Sequence, residues 1–375
     1  MKCSEIFEYL EKWAPEEIAW QNDNVGLQVG SDSRDLKNII ICLDVDMNVI
    51  EQAIKKKCNL IISHHPLLFH KLRRIDIGRD KNSMVVEKLI KNNITLYSAH
   101  TNLDFAKDGV SFELAKKLKL QNIKFLTSLS SNQFKLSVFV PEKYLQAVTD
   151  AIFNSGGGEI GEYSHCSFRT KGEGTFFGSV KSKPALGKKQ RDEKVEEIKL
   201  EVLVSSWNLK NVISAMLKAH PYEEPAYDIY PLVNSDVNTG AGAIGELETS
   251  MNVRNFLAYV ADRLNAENFR FTKGRNVKIK KVAVCGGSGS DMLNSAIKEN
   301  ADAFITADVK YHTFQDASGK ILLIDAGHYE TEIHSLNEVE KRLKDFIGKK
   351  TNIKVFKYNG STNPILFYNK KNKEM

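Results

Sequence analysis

Leu60-Ile-Ile-Ser-His-His-Pro-Leu-Leu-Phe69 is the stretch on which the reading of the fold turns. Leu60 to Ile62 form an unbroken aliphatic run ending at Ser63, the pattern of a strand covered on both faces and so of a parallel sheet. Pro66 ends that strand, which leaves His64 and His65 past its carboxyl terminus, the edge where ligands of open α/β sheets collect. Imidazoles there can bind metal, and an adjacent pair can serve two ions. Taken alone, the pair reads more readily as one core-bonded histidine and one in a turn. Its meaning depends on the rest of the chain.

Upstream, Ile6, Phe7, Leu10 and Trp13 recur at helical spacing and predict a helix from Cys3 to Trp13 that stops before Pro15. Asn22 to Gly30 is a turn-rich approach to a strand. Asn38 to Val45 reads as a strand and Asn48 to Lys57 as a helix. Beyond the histidines come a helix at Asn82 to Lys91, a strand at Ile94 to Ser98 and a helix at Gly109 to Lys119. This alternation predicts a mainly parallel sheet with helices on both faces, the α/β class.

Near Leu126 the pattern changes. Strands at Phe134 to Val140, Phe168 to Val180, Glu197 to Ser205 and Ala226 to Leu232 interleave with helices at Pro141 to Asn154 and Asn208 to Ala219. Gly172 and Gly174 interrupt the second of these strands. The order β-α-β-β-α-β is that of a ferredoxin-like unit. The first pattern then resumes, with helices at Asn252 to Leu264 and Asp291 to Asn300, strands at Lys280 to Cys285, Ala303 to Thr306, Ile321 to Asp325 and Ile353 to Lys357, and a helix from His328 to about Ile347. The chain therefore reads as a discontinuous α/β domain, residues 1–127 and 237–375, interrupted by an α+β insert at 128–236.

Composition narrows the class. Of the 375 residues, 42% are hydrophobic and 27% charged, as in globular proteins, and the apolar runs are far too short to span a bilayer. The N-terminus lacks the apolar core of a signal peptide. Five scattered cysteines with no Cys-x-x-Cys pair point to reduced thiols and a cytoplasmic location. The net charge of +6 is spread along the chain, with a lysine excess near Lys181 to Lys189. No aromatic-interleaved basic patch or helix-turn-helix pattern supports nucleic-acid binding.

The chemically loaded residues of the outer segments recur at one topological place. His64 and His65, His100 and Asp104, Asp308 and His312, and His328 and Glu332 all follow the carboxyl end of a predicted strand. In a parallel sheet those ends share an edge, with strands about 4.8 Å apart. His328 and Glu332, four apart at a helix start, share a face. Imidazole with carboxylate suits zinc, iron or manganese, and a bridging carboxylate among five ligands suits two ions. Two further motifs stand apart. Cys285-Gly-Gly-Ser-Gly-Ser-Asp291 is either a phosphate-holding nest at Gly286, Gly287, Ser288 and Gly289 or a tight turn that allows close packing. His220-Pro-Tyr-Glu-Glu-Pro225 reads as a helix exit into an edge strand, with His220 partly exposed.

At these residues the sequence resembles the Nif-three-like dinuclear metal centre family, the GTP cyclohydrolase I type 2 homologues. The motifs that carry the resemblance are Asp23-Asn-Val-Gly-Leu-Gln-Val-Gly30, Ser63-His-His-Pro66, Ala99-His-Thr-Asn-Leu-Asp104, Val284-Cys-Gly-Gly-Ser-Gly289 and Asp325-Ala-Gly-His-Tyr-Glu-Thr-Glu332. The insert resembles the PII or CutA-like module of the longer bacterial members. The resemblance implies two divalent ions per chain, with ligands His64, His65, Asp104, His328 and Glu332 and with His100 lining the site; in a hydrolase His100 is the expected catalytic proton shuttle. It leaves Glu330 at a variable position, and Ala307 stands where the family usually has glycine. It also implies a homohexamer with a small-molecule or nucleotide ligand. The activity expected is metal-dependent hydrolysis, with activated water attacking a nucleotide-like substrate; in a cyclohydrolase the target is C8 of guanine, released as formate. The alternative is a regulatory or metal-handling assembly in which the ions are structural and the insert senses a small molecule.

Overall fold

The computed structural model describes residues 1–70, 74–129, 132–161, 163–234, 236–348 and 352–367. They fall into two compact units, one from Met1–Ser128 with Thr239–Met375 and one from Leu129–Asn238. Residues 130–131 and 235, at the joints expected for the insert, lie outside the described residues.

Before the insert run β1 (Gly26–Val29), β2 (Ile39–Cys42), β3 (Leu60–Ser63), β4 (Thr95–Ser98) and β5 (Gln121–Ser128). The insert holds β6 (Gln133–Pro141), β7 (Phe168–Phe177), β8 (Asp192–Ser205) and β9 (Tyr227–Pro231). After it come β10 (Gly240–Asn252), β11 (Arg270–Phe271), β12 (Lys278–Ser288), β13 (Ala303–Ala307), β14 (Leu322–Asp325) and β15 (Val355–Lys357).

The single mainly parallel sheet expected of the outer unit is instead two sheets. One has the order β1-β4-β3-β2-β15 and the other β11-β14-β13-β12-β10-β5. In the first, β4, β3, β2 and β15 are parallel and β1 is antiparallel at the edge. In the second, only β12, β13 and β14 are parallel. An all-apolar strand announces cover on both faces but not its neighbour, so two short parallel cores produce the same alternation as one long one.

Every residue of β2, β3 and β4 is buried. The helix Met47–Lys55 covers one face of that sheet. Asp46 caps it by accepting the Val49 N–H at 2.9 Å, and Val49, Ile50 and Ala53 pack with Ile40 and Ile61. Each such fully buried aliphatic side chain contributes roughly 1.5–3 kcal/mol.

Strands β5 and β10 were not expected as strands. Gly240-Ala-Gly-Ala-Ile-Gly245 is poor in branched residues, and its β conformation comes from position, between β5 and β12, rather than from propensity. The two strands pair antiparallel with Ser128 opposite Gly240, so the chain leaves for the insert and returns at neighbouring positions.

The insert contains β6, the helix Leu145–Asn154, β7, β8, the helix Ser206–Ala219 and β9. Its antiparallel sheet has the order β7-β8-β6-β9. Alternate residues of β6 and β8 turn inward, Leu136, Val138 and Val140 with Leu200, Val202 and Val204, against Val148, Ile152, Val212 and Met216 of the helices. Among the described residues no helix is long and apolar enough to cross a membrane.

Candidate metal centre

The loops after five parallel strands of the outer unit, drawn from both of its sheets, meet at one place. β3 leads directly into His64 and His65. β4 leads through Ala99 to His100 and the short helix Thr101–Phe105 carrying Asp104. β14 leads through Ala326 and Gly327 to the helix His328–Glu332, β13 to Asp308, and β2 through Leu43 to Asp44.

Glu332 is the hub. Its Oε1 lies 3.0 Å from His328 Nε2 and 3.7 Å from His64 Nε2, and its Oε2 lies 3.0 Å from His65 Nε2. His65 and His328 approach Nε2 to Nε2 at 3.3 Å, and Asp104 Oδ1 stands 3.6 Å from His64 Nε2. Two ligand groups can be drawn within a 4.8 Å spread of donor atoms: His64, His65 and His100, and His65, His328 and Glu332.

Each imidazole is oriented in the same way. His64 Nδ1 donates to the Ala99 carbonyl at 2.8 Å, His65 Nδ1 to Asp44 at 2.8 Å and His328 Nδ1 to Asp308 at 2.6 Å. His100 Nδ1 donates to Asp23, whose oxygens lie at 2.8 and 2.9 Å. An Nδ1–H given to an oxygen leaves Nε2 as a lone-pair donor, the second-layer arrangement that orients histidine on metals.

The centre therefore gathers Nε2 atoms and carboxylate oxygens around one point. His64 Nε2 and Asp104 Oδ1 are buried with no hydrogen-bond partner, an uncompensated pairing that a cation between them would satisfy. Burial pushes Asp104 up to about 7, with the Glu332 charge adding to it against the pull of His64. Burial would raise Glu332 too, but His64, His328 and His65 hold it well below the usual carboxylate range. Burial pulls His65 and His328 down, and their bonds to carboxylates more than reverse this, to about 10 and about 9. The donor set, the buried Glu332 carboxylate and the buried Oδ1 of half-buried Asp104 with nitrogen donors turned inward, fits a divalent ion of the zinc, iron or manganese type.

Asp44 stands in none of the motifs read from the sequence, and Asp23, which opens the Asp23–Gly30 motif, has no role assigned there; in the structure each orients an imidazole of the candidate site. Asp23 also accepts the Thr101 N–H at 3.1 Å and its hydroxyl at 2.5 Å; these bonds and His100 hold it well below its ordinary range, against the effect of burial. Asp44 accepts the Thr362 hydroxyl at 2.8 Å. It lies just past a buried strand, the same signal that picked out the histidines. Asp308, of uncertain role by sequence, serves His328 despite Ala307 before it. His312 does not join the site: it is exposed and bonds Gln315. Glu330 turns to Asn363 instead, at 2.9 Å.

The glycine turn does not offer a phosphate nest. The amides of Gly286, Gly287 and Gly289 already donate to the hydroxyls of Ser111, Thr331 and Thr306, and Ser288 sits in the ladder opposite Ala307. The turn works by close approach. Gly287 has φ +62°, and a Cβ there would stand 2.2 Å from Glu332 Oε1 and 3.2 Å from His328 Nε2. In the insert, His220 is buried, not partly exposed, because its Nε2 donates to the Phe139 carbonyl at 3.0 Å and its Nδ1 accepts the Tyr222 N–H at 3.1 Å.

Known proteins match nearly the whole length of this chain. A Bacillus subtilis protein named GTP cyclohydrolase 1 type 2 homolog is 37% identical over 365 residues, covering 97% of this chain and 98% of that one. A Listeria monocytogenes protein of the same name is 37% identical over 356 residues, 93% of each chain. The crystal structure of a Bacillus cereus protein related to NIF3 matches with a TM-score of 0.83 at 35% identity, covering 98% of this chain and 99% of that one. A Staphylococcus aureus protein of known structure matches with a TM-score of 0.78 at 28% identity, again over 98% and 99%. The model of one family matches residues 1–364, and with these relatives it shows that the chain belongs to the Duf34/NIF3 (NGG1p interacting factor 3) family.

Proposed function

We propose that the protein is a metal-dependent hydrolase in which His64, His65, Asp104, His328 and Glu332 hold two divalent ions. The observation that carries this reading is the common orientation of His64, His65 and His328, each tied through Nδ1 to an oxygen and turned through Nε2 toward the buried Glu332 carboxylate. Glu332, with one oxygen beside His65 and the other beside His328 and His64, has the placement of a bridging ligand. Divalent ions in such a site activate water and polarise an electrophile.

The chain's own contribution is positioning. His100, fixed by Asp23, has a ring nitrogen within 4.8 Å of donor atoms of His64 and His65 and is placed to move a proton. The relatives' name points to a nucleotide-like substrate. With the glycine amides occupied, recognition of its phosphates falls to other groups. The test is metal analysis of protein purified without chelator, joined to turnover assays on GTP and a phosphoester panel with wild type and Glu332→Ala. Two ions per chain and turnover lost in the variant are expected; absence of metal-dependent turnover on every substrate refutes the enzyme reading.

A second reading gives the ions a structural role in a six-copy assembly and assigns ligand sensing to the insert as a ferredoxin-like module. A cavity within that unit favours it.

A further inference from the structure

Three sequence features have no part in the metal centre: the segment His220-Pro-Tyr-Glu-Glu-Pro225, Gly174 of the two glycines interrupting β7, and the lysine-rich loop that follows β7. Within the insert they surround a cavity of about 250 Å³. Phe139, Phe176 and Tyr222 line it together with Leu186 and Val195. The turn is fixed by His220, bonded to Phe139 and Tyr222, and the loop is fastened to the turn by the Lys183 N–H, which donates to Glu223 Oε1 at 2.7 Å.

The charge of the lining is one-sided. Glu197, Glu223 and Glu224 face a single cation, Lys183. Glu197 Oε1 accepts the Tyr222 hydroxyl at 2.8 Å, and burial together with that carboxylate holds the phenol well above its ordinary range, so it remains a donor. The other oxygen, Oε2, lies 2.3 Å from where a Cβ on Gly174 would stand, so the glycine makes the room this carboxylate occupies. Aromatic faces attract ammonium groups, and a carboxylate adds a charge-assisted hydrogen bond. A volume of about 250 Å³ suits one ring with a short chain.

We propose that this cavity is a binding site for a small organic cation, an amine with an apolar body, seated on the aromatic rings with its ammonium at Glu197. The inference rests on the insert being a small-molecule binder and does not depend on the chemistry of the metal centre. The experiment is calorimetric titration of the full chain with 2-phenylethylamine, its neutral counterpart 2-phenylethanol and the anion 3-phenylpropionate. The amine is expected to bind about tenfold or more tightly than either counterpart, and Glu197→Gln is expected to remove that preference. Metal content should be unchanged in the variant, which separates failure here from failure at the metal centre. If Glu197→Gln does not fold by circular dichroism, Glu224→Gln takes its place, with a several-fold weaker amine affinity expected. No binding of the amine at millimolar concentration, equal binding of the alcohol, or full affinity in the folded variants overturns the proposal.

Discussion

Replacing Gly287 by alanine tests whether the glycine turn exists to admit Glu332. A residue with a side chain at φ +62° costs roughly 1–2 kcal/mol in backbone strain alone. The added methyl would also meet Glu332 Oε1 at 2.2 Å, far inside contact distance. Glu332 is 3% exposed and engaged with His65 and His328 at 3.0 Å, so it cannot swing aside without leaving both. Changes behind a metal ligand commonly weaken binding 10–100-fold, and displacing the hub carboxylate itself should reach the upper end, about 2.7 kcal/mol. Gly319→Ala is the control, because Gly319 has φ +74° and nothing within 4 Å of its would-be Cβ. Competition for Zn²⁺ or Mn²⁺ against a fluorescent chelator, with thermal melting alongside, separates the two effects. Both variants should lose stability to backbone strain, Gly287→Ala more because of the clash, and only Gly287→Ala should lose metal affinity. Equal affinity in the two variants would refute the reasoning.

Two further outcomes follow from the same geometry. Asp308→Asn removes the charge that holds His328 Nδ1–H, and metal affinity should fall about 10–100-fold with the fold intact; an unchanged affinity by the same competition assay excludes the orienting role. The second concerns pH. Without metal, His65 and His328 have pKa values raised to about 10 and about 9, so they carry protons at pH 7 that an ion must displace. Loading should therefore release protons at pH 7 and tighten as pH rises toward 9–10. The metal-free protein should show the converse: stability from these raised histidines is complete below pH 6.5 and is lost as pH climbs through 9 and 10. Titration in buffers of different ionisation enthalpy, and melting curves across that range, check both signs.

How far the sequence reads depends on what each residue's signal encodes. His64, His65, Asp104, His328 and Glu332 were legible as a group because each follows an apolar strand, and topology gathers strand ends whether they belong to one sheet or two. The number of sheets was not legible, since an aliphatic strand such as Ile39–Cys42 reveals burial but not its partner. Strand β10 was hidden by its glycines and alanines, which take strand conformation from the neighbours they lie between. Asp44 follows a buried strand as the histidines do and Asp23 opens a motif, but neither position alone tells what the carboxylate serves; only the imidazole opposite each makes it specific. The glycine run at 286–289 admitted two physical uses, and the choice between them rested on Ser111, Thr331 and Thr306, distant in sequence and silent about their partners.

Because Ser128 and Gly240 are paired across adjacent strands, the outer unit experiences the whole insert as the loop of one β-hairpin. Closing a flexible loop costs only about 0.6 kcal/mol more for each doubling of its length, and a loop that folds on itself shortens its own effective span. The long interval between Asp104 and His328 is thus, for the folding of the candidate site, close to that of a chain with a tight turn in place of the insert. The two units can accordingly vary under separate selection, one for the chemistry of its strand ends and the other for whatever its cavity holds, with the hairpin as their only covalent agreement.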